Sequence, residues 1–190
     1  MVVGILALQG AFREHVKMLD ACGVKGLEIR LPEQLGKVAG LIIPGGESTT
    51  IAKLMLEYGF PGSIKGFAAS GRPIFGTCAG LIVLANKLAG EKQELLNLID
   101  IDVRRNAYGR QIESREVSVE VPFLDGKPFN AVFIRAPVVE KAGQQVKILA
   151  TYKERPVIAR QENILVSSFH PELTGDTGIH RYFLEMIEKR

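Results

Sequence analysis

Cys78 stands in the stretch Gly76-Thr-Cys-Ala-Gly80, the part of the sequence best suited to nucleophilic chemistry. A nucleophile between two glycines is typical of a nucleophile elbow, a sharp turn that joins a strand to a helix. Arg72 to Phe75 is predicted to end a short buried strand, and Leu81 to Ala85 is predicted to begin a buried helix. The sulfur would then stand at a helix N-terminus, where backbone N–H groups favour a thiolate. The alternative interpretation is a buried cysteine in a glycine-rich packing turn.

A catalytic cysteine usually needs a base, and the three histidines of the sequence are the candidates. His15 and His180 lie in predicted helices beside charged neighbours, which favours a solvated helix face for both. His170 follows the predicted strand Asn163 to Ser168 and therefore stands at a strand end, where open α/β sheets place their sites. His170 is the histidine that we expect to act as the base.

Glu172 is the residue expected to orient His170. In an extended segment, residues i and i+2 point to the same side, and Pro171 is expected to keep this segment extended. Glu172 would then reach the far nitrogen of His170, fix its tautomer and stabilise the imidazolium. Cys78, His170 and Glu172 are thus predicted to be nucleophile, base and orienting carboxylate.

An attacked carbonyl also needs backbone N–H donors where negative charge develops. One donor is predicted to be the amide of Ala79, directly after the nucleophile. The second is expected from the glycine-rich stretch Pro44-Gly-Gly-Glu-Ser-Thr49, whose glycines leave backbone amides exposed. A phosphate-binding loop is the alternative for this stretch, but the lysine of the G-x-x-x-x-G-K-[ST] pattern is missing.

The elements that must position these residues alternate in the first half of the sequence, which favours a parallel α/β sheet. The second half has six predicted strands with short breaks, which suggests added antiparallel strands. We therefore predict one domain over residues 1–190, of class α/β, with a mostly parallel central sheet flanked by helices. The predicted strands are Val2–Leu8, Gly26–Arg30, Ala39–Ile43, the strand before Cys78, Leu98–Val103, Val117–Val121, Ala131–Arg135, Val146–Tyr152, Pro156–Arg160 and Asn163–Ser168. The predicted helices are Phe12–Ala21, Thr49–Tyr58, Ser63–Ser70, the helix after Cys78 and Asp176–Lys189. Pro32–Val38 is predicted to be a loop or short helix, and Arg104–Gln111 is predicted to be a loop.

Composition narrows the class of protein. The net charge of +3 comes without a run of basic residues, which argues against a nucleic-acid partner. Two cysteines cannot build a disulfide framework, and the apolar start of the chain is too short to span a bilayer. That start also lacks the basic region and cleavage site of a signal peptide, so we expect a cytoplasmic protein with no membrane partner.

Three motifs together resemble the class I glutamine amidotransferases, the cysteine-triad glutaminases: Gly76-Thr-Cys-Ala-Gly80, Pro44-Gly-Gly-Glu-Ser48 and Ser168-Phe-His-Pro-Glu172. Three further stretches are similar to the glutaminase subunits of pyridoxal 5'-phosphate synthases: Leu8-Gln-Gly-Ala-Phe-Arg-Glu-His15, Arg105-Asn-Ala-Tyr-Gly-Arg-Gln111 and Phe133-Ile-Arg-Ala-Pro137. The resemblance runs almost end to end and implies a flavodoxin-like arrangement of the sheet.

The resemblance implies a role for each site residue. Cys78 would be the nucleophile of L-glutamine hydrolysis, and His170 and Glu172 would complete the charge relay. The oxyanion would rest on Gly46 and Ala79. The residues that would contact glutamine are Gly46, Glu47, Ser48, Arg105, Ile134 and Arg135. An arginine suits the α-carboxylate of free glutamine, whereas ordinary surface charge is the alternative for Arg105 and Arg135.

The implied partner is a barrel-shaped pyridoxal 5'-phosphate synthase subunit that receives the ammonia in a hetero-oligomer. No metal and no cofactor are expected for this half of the reaction. Gln9 to His15 and the loop Arg104 to Gln111 are candidates for the docking surface, and docking is expected to turn the Gly45–Gly46 loop into its active pose.

Two other classes of function use the same features. A hydrolase with the same elbow, such as a γ-glutamyl hydrolase or an intracellular cysteine peptidase, would apply the triad to a bound peptide. A regulatory or chaperone-like binding module would use Cys78 as a redox sensor, but that function would leave Glu172 without a purpose.

Overall fold

The computed structural model describes residues 1–105, 114–124 and 126–189. In these ranges the strands are β1 (Val2–Leu6), β2 (Lys25–Ile29), β3 (Gly40–Ile43), β4 (Ile74–Thr77), β5 (Ala85–Leu88), β6 (Ile99–Arg104), β7 (Ser114–Glu120), β8 (Pro128–Ile134), β9 (Val138–Ala142), β10 (Lys147–Tyr152), β11 (Arg155–Gln161) and β12 (Ile164–Ser167). The α-helices are α1 (Phe12–Ala21), α2 (Ser48–Glu57), α3 (Phe60–Ala69), α4 (Ala79–Leu84) and α5 (Gly178–Glu188), and short 3-10 helices cover Pro32–Lys37 and Pro171–Leu173.

Seven strands form the central sheet in the order β10-β11-β12-β4-β3-β1-β2. From β12 to β2 every neighbouring pair is parallel, and β10 and β11 continue the sheet antiparallel at one edge. The three middle strands β12, β4 and β3 are buried along their whole length, as expected where helices cover both faces. The predicted fold class, a mostly parallel α/β sheet with added antiparallel strands, is confirmed.

Helices pack on both faces of this sheet because its apolar side chains alternate between the faces. On β3, Leu41 and Ile43 join one core cluster, which includes side chains of α2, α3 and α4. Ile42, between them, joins the other cluster with Leu19 of α1 and Phe183 of α5. Two cores of this kind hold the strand ends in fixed positions, which is what a site at the sheet edge needs.

Two smaller sheets complete the described part of the chain. β5, β6 and β9 form one, with β5 parallel and β9 antiparallel to β6, and β7 pairs antiparallel with β8 in the other. The strands β5 and β9 were not among the predicted elements. Ala85, predicted to continue the helix after Cys78, instead begins β5.

The predicted boundaries need correction at the elbow and in helix α3. β4 runs through Gly76 and Thr77, so Cys78 alone separates strand from helix. Helix α3 begins at Phe60 rather than Ser63, because Pro61 is tolerated in the first turn, where its missing N–H has no helical partner. Of the loop predicted over Arg104–Gln111, residues 106–111 lie outside the described residues, and Arg104 ends β6.

Candidate active site

Cys78 occupies a strained turn between β4 and α4. Its φ of 49° lies in the left-handed region, where a non-glycine residue is uncommon and costs free energy. The turn also brings two backbone segments close together. The space between them is so small that a Cβ atom on Gly80 would overlap the carbonyl oxygen of Ile43. The local sequence thus makes a tight elbow in which Cys78 alone joins β4 to α4.

His170 stands beside Cys78 because their strands are neighbours. β12 and β4 are parallel, with Ser167 opposite Thr77, and the Cys78 amide donates to the Ser167 carbonyl at 2.8 Å. His170 follows β12 and is fixed through its own amide, which donates to the Val132 carbonyl at 2.8 Å. Two residues far apart in sequence therefore meet at the carboxyl ends of adjacent strands.

Glu172 contacts His170 as predicted, with 2.7 Å between Oε1 and Nδ1. The route differs from the prediction, however. Residues Pro171–Leu173 form a 3-10 helix, not an extended segment, because proline suits the first turn of a helix as well as an extended chain. The helical turn brings the buried carboxylate back beneath the imidazole.

The ionisation of His170 and that of Glu172 depend on each other. Burial by itself lowers the pKa of His170, but hydrogen bonds to Cys78 and Glu172 and the charges of both groups raise it to about 10. Burial tends to raise the pKa of Glu172, whereas the electrostatic interaction with the neighbouring His15 ring and the contacts with His170 lower it below its usual range. The arrangement favours an imidazolium on His170 held against the Glu172 carboxylate.

The Gly45–Gly46 loop is anchored beside the sulfur. The Gly45 amide donates to Thr77 Oγ1 at 3.0 Å, and its carbonyl accepts from the Ala11 amide at 2.9 Å. The Glu47 amide donates to Gln9 Oε1 at 2.8 Å. Since Thr77 already binds the amide of Gly45, Gly46 is the better candidate for the second oxyanion donor.

A pocket of about 630 Å³ opens over these groups and is large enough for a small metabolite. Its lining contains Cys78, Ala79 and His170 together with all six residues that the sequence analysis assigned to substrate. The full lining is Gly10, Ala11, Gly45, Gly46, Glu47, Ser48, Cys78, Ala79, Ile82, Arg105, Ile134, Arg135, His170 and Leu173.

Arg105 spans one wall of the pocket through three side-chain contacts. Its NH1 lies 2.9 Å from Glu47 Oε1, and its NH2 lies 2.7 Å from Gln93 Oε1 and 3.1 Å from Glu91 Oε2. Hydrogen bonds from Thr49 and the charge of Arg105 lower the pKa of Glu47 below its usual range. Burial raises the pKa of this carboxyl group, but by less than these contacts together lower it. Gln93 lies in an irregular segment, and no sequence signal pointed to its contact with Arg105.

Ile134 and Arg135 line the pocket where β8 ends. The Cys78 sulfur lies 3.8 Å from the Ile134 carbonyl oxygen, within reach of a weak S–H hydrogen bond. Arg135 is exposed and has a φ of 45°, a second strained residue at the pocket. The predicted position of Arg135, at the end of an apolar strand, is confirmed.

The prediction of solvated helix faces for His15 and His180 is wrong. Both side chains have 0% exposure, and His15 Nδ1 lies 2.9 Å from His180 Nε2. The charged neighbours of His15 were misleading, since its spacing from Phe12 and Leu19 places it on the apolar face of α1. His180 likewise shares the buried face of α5 with Phe183.

The described residues contain no group of three or more His, Cys, Asp and Glu side chains that could hold a metal ion. Within the same residues, no helix has the length and apolar character needed to cross a bilayer.

Comparison with known proteins gives a consistent result. The model of the SNO glutamine amidotransferase family matches residues 5–189. The chain is 55% identical to "Pyridoxal 5'-phosphate synthase subunit PdxT" of Pelotomaculum thermopropionicum, covering 97% of this chain and 94% of the relative. It is 52% identical to the protein of the same name from Moorella thermoacetica, covering 98% and 100%. A crystal structure of a glutamine amidotransferase superposes with a TM-score of 0.95 at 48% identity, covering 99% of this chain and 100% of that one.

Proposed function

This chain belongs to the SNO glutamine amidotransferase family, and from that membership we propose that it hydrolyses L-glutamine to L-glutamate and ammonia. The observation that carries the proposal is the placement of Cys78, His170 and Glu172. The imidazole has a hydrogen bond to Glu172 through Nδ1 and lies beside Cys78 against the backbone of Gly45, at the wall of a pocket large enough for an amino acid.

In the first step, the Cys78 thiolate attacks the side-chain amide carbon of glutamine, and the carbonyl oxygen becomes negative. The amides of Gly46 and Ala79 stabilise this oxyanion. When the intermediate collapses, the C–N bond breaks and the His170 imidazolium gives its proton to the leaving nitrogen. The products of this step are ammonia and a thioester on Cys78.

In the second step, neutral His170 takes a proton from water as the water oxygen attacks the thioester. The C–S bond breaks, glutamate leaves, and the thiolate–imidazolium pair is restored. Glu172 holds the imidazole through Nδ1 in both steps, so that Nε2 remains directed at the reacting groups. Cys78 must stay reduced to act, and we therefore place the reaction in the reducing cytoplasm.

The charged walls of the pocket suit the two ionic groups of free glutamine. The α-carboxylate would bind Arg105 or Arg135, and the α-ammonium would bind the Glu47 carboxylate, with Ser48 and the Ile134 backbone as further contacts. In the described structure Arg105 is already paired with Glu47, so substrate binding must open or share this ion pair. An ordinary α-linked peptide has no free α-groups at the same distance from its scissile amide, which favours glutamine over such a peptide. A γ-glutamyl peptide does carry them, so turnover has to separate it from glutamine.

The ammonia needs an acceptor, because ammonia released into neutral water is mostly protonated and no longer nucleophilic. The curated relatives are named as subunits of pyridoxal 5'-phosphate synthase. We propose that this chain delivers ammonia to a barrel-shaped synthase partner in a hetero-oligomer, for the biosynthesis of pyridoxal 5'-phosphate, vitamin B6.

Partner docking is proposed to complete the oxyanion hole. Turning the Gly45–Gly46 peptide would break the hydrogen bond between the Ala11 amide and the Gly45 carbonyl. Ala11 belongs to Gln9–His15, one of the two predicted docking segments, so a partner bound there could release the peptide. His15 is buried and therefore cannot be part of that docking surface, contrary to the prediction, whereas Arg13 is exposed.

The test is glutamate release from glutamine, measured for the chain alone and with the synthase partner, with Cys78→Ala as the control. Release that depends on Cys78 and rises with the partner is the expected result. Cleavage of γ-glutamyl peptides without release from glutamine would overturn the proposal in favour of a peptide hydrolase.

A further inference from the structure

The carboxylate of Glu172 faces two histidines, and the proposed triad accounts for only one of them. Oε1 lies 2.7 Å from His170 Nδ1, and Oε2 lies 3.4 Å from His15 Nε2. His15 Nδ1 lies in turn 2.9 Å from His180 Nε2. We call His15 and His180 the buried histidine pair, since neither ring reaches solvent.

Both rings of the buried histidine pair are neutral at pH 7. Burial lowers the pKa of His15, an effect that the charge of Glu172 only partly opposes. Burial and the neighbouring His15 lower the pKa of His180 to about 3. Each ring therefore carries one N–H, and the position of that proton decides which contacts are attractive.

The geometry selects one tautomer for each ring. His15 Nε2 has its hydrogen bond to Thr77 Oγ1 at 3.2 Å, and Glu172 Oε2, which has no hydrogen-bond partner among the described residues, lies 3.4 Å away. A carboxylate oxygen at that distance attracts an N–H and repels a lone pair, so the His15 proton belongs on Nε2. His15 Nδ1 is then an acceptor, and His180 must donate to it from Nε2. This leaves His180 Nδ1 as a bare lone pair, and that atom has no hydrogen-bond partner among the described residues. An unpaired buried acceptor of this kind costs less than an unpaired N–H.

We propose that His15 is a positioning residue of the glutaminase reaction, whose Nε2–H holds the carboxylate of Glu172 in place while His180 fixes the tautomer of His15. The proposal rests on the function proposed above. His15 touches no reacting atom, and its effect reaches substrate only through Glu172 and His170.

His15 also connects the triad to the oxyanion loop. Thr77 Oγ1 lies 3.2 Å from His15 Nε2 and accepts the Gly45 amide at 3.0 Å. One ring thus contacts both the carboxylate that orients His170 and the hydroxyl that anchors Gly45. A tilt of His15 would displace both halves of the catalytic machinery together.

Packing alone is a poor account of the buried histidine pair. Both rings meet the edge or face of Phe75, at centroid distances of 6.4 Å for His15 and 6.0 Å for His180. Apolar side chains would fill such a space without the cost of burying imidazole nitrogens. The polar contacts to Glu172 and Thr77 are what the imidazole of His15 adds.

The first experiment measures the tautomers directly, by nitrogen NMR of the full-length protein with isotope-labelled histidine. We expect His15 and His180 to be neutral and protonated on Nε2 at neutral pH. In His180→Phe, which keeps an aromatic ring against Phe75, we expect the His15 signal to become a mixture of tautomers. Protonation of His15 on Nδ1 in the unsubstituted protein would overturn the proposal.

The second experiment measures glutamine turnover with the synthase partner. His15→Leu should lower kcat by roughly tenfold to a hundredfold and leave KM little changed, because misplacement of catalytic groups by about 1 Å costs on this order. His15→Gln keeps a side-chain N–H donor and should retain most of the turnover. Met18→Leu, a volume-conserving change at a buried position of the same helix, is the control for altered packing.

These results separate the two proposals. Equal kcat for His15→Leu and His15→Gln, with losses only in thermal stability, would overturn the positioning role while leaving glutaminase activity established. If the unsubstituted protein releases no glutamate with its partner, the function itself fails, and the role of His15 fails with it, whereas the nitrogen spectrum still reports the contact.

Discussion

The backbone of Gly45 runs so close to His170 that a Cβ atom on Gly45 would overlap Cε1 of the ring and lie 2.7 Å from Nδ1. Gly45→Ala should therefore push the imidazole away from Cys78 and lower kcat for glutamine by about a hundredfold. Gly66→Ala is the matched control, because a Cβ on that helical glycine meets nothing within 4 Å. Gly66→Ala should keep full activity and unfold at the same or a higher temperature. Full activity of Gly45→Ala would contradict the described position of His170.

Cys78→Ala and Cys78→Ser should abolish glutamine hydrolysis and leave the fold intact, whereas Cys22→Ser should remain active. A glutamine-like electrophile should label Cys78 and spare Cys22. Burial raises the pKa of the Cys22 thiol, which lowers its thiolate fraction, although the charge of Arg181 opposes part of this effect. Mass spectrometry of the labelled protein decides between the two, and Cys22 as the preferred site would reverse the assignment.

His170→Asn should be nearly as damaging as loss of Cys78, and Glu172→Gln should be milder, because the base transfers protons and the carboxylate only holds the base. Residues that act as one unit have non-additive effects. The double variant Cys78→Ala, His170→Asn should thus be little slower than either single variant. The comparison needs the turnover rates of the unsubstituted protein, the single variants and the double variant. A double variant whose loss of rate equals the product of the two single losses would argue against a shared role.

The burial of His180 should make the protein less stable in mild acid. The pKa of His180 is about 3 in the folded state and near 6.5 when the chain unfolds, so between these values the unfolded state binds more protons. Stability therefore falls as pH falls through this window. From about pH 7 to about pH 5 this one ring should cost about 2 kcal/mol of the free energy of unfolding. Urea unfolding at both pH values should show a smaller loss in His180→Phe; parallel losses in the two proteins would refute the assignment.

The isolated chain should hydrolyse glutamine more slowly than the chain bound to its synthase partner. Loss of one oxyanion donor costs about 3 kcal/mol, which corresponds to a hundredfold or more in rate. Steady-state glutamate release with and without the partner measures the ratio. Equal rates would show that the Gly45–Gly46 loop needs no partner, and the triad would be unaffected by that result.

Residues whose positions follow from local backbone geometry were predicted well from sequence. Cys78 is defined by its flanking glycines, and His170 by the end of an apolar strand that pairs with β4. Glu172 was predicted to contact His170, but through an extended segment that is in fact a 3-10 turn. His170 itself precedes that turn with a non-helical backbone, φ −102° and ψ 87°, so the Glu172 carboxylate still reaches its ring.

What sequence reasoning missed depends on tertiary packing. The burial of His15 is decided by which face of α1 lies on the sheet, and charged neighbours along the chain do not report that face. The contact of Gln93 with Arg105 arises in an irregular segment, and β5 is a short strand whose pairing with β6 lies outside any local pattern. Features of this kind are fixed only when distant parts of the chain meet.

The position of β12 also determines when the protein becomes active during its synthesis. β12 lies in the interior of the central sheet, between β11 and β4, yet it is the last of the described strands in chain order. Cys78 is made early, but the strand that carries His170 beside it leaves the ribosome only after every other described strand. A nascent chain that ends before β12 has an incomplete sheet and an unpaired β4 edge, so the proposed catalytic site is incomplete until β12 has joined the sheet.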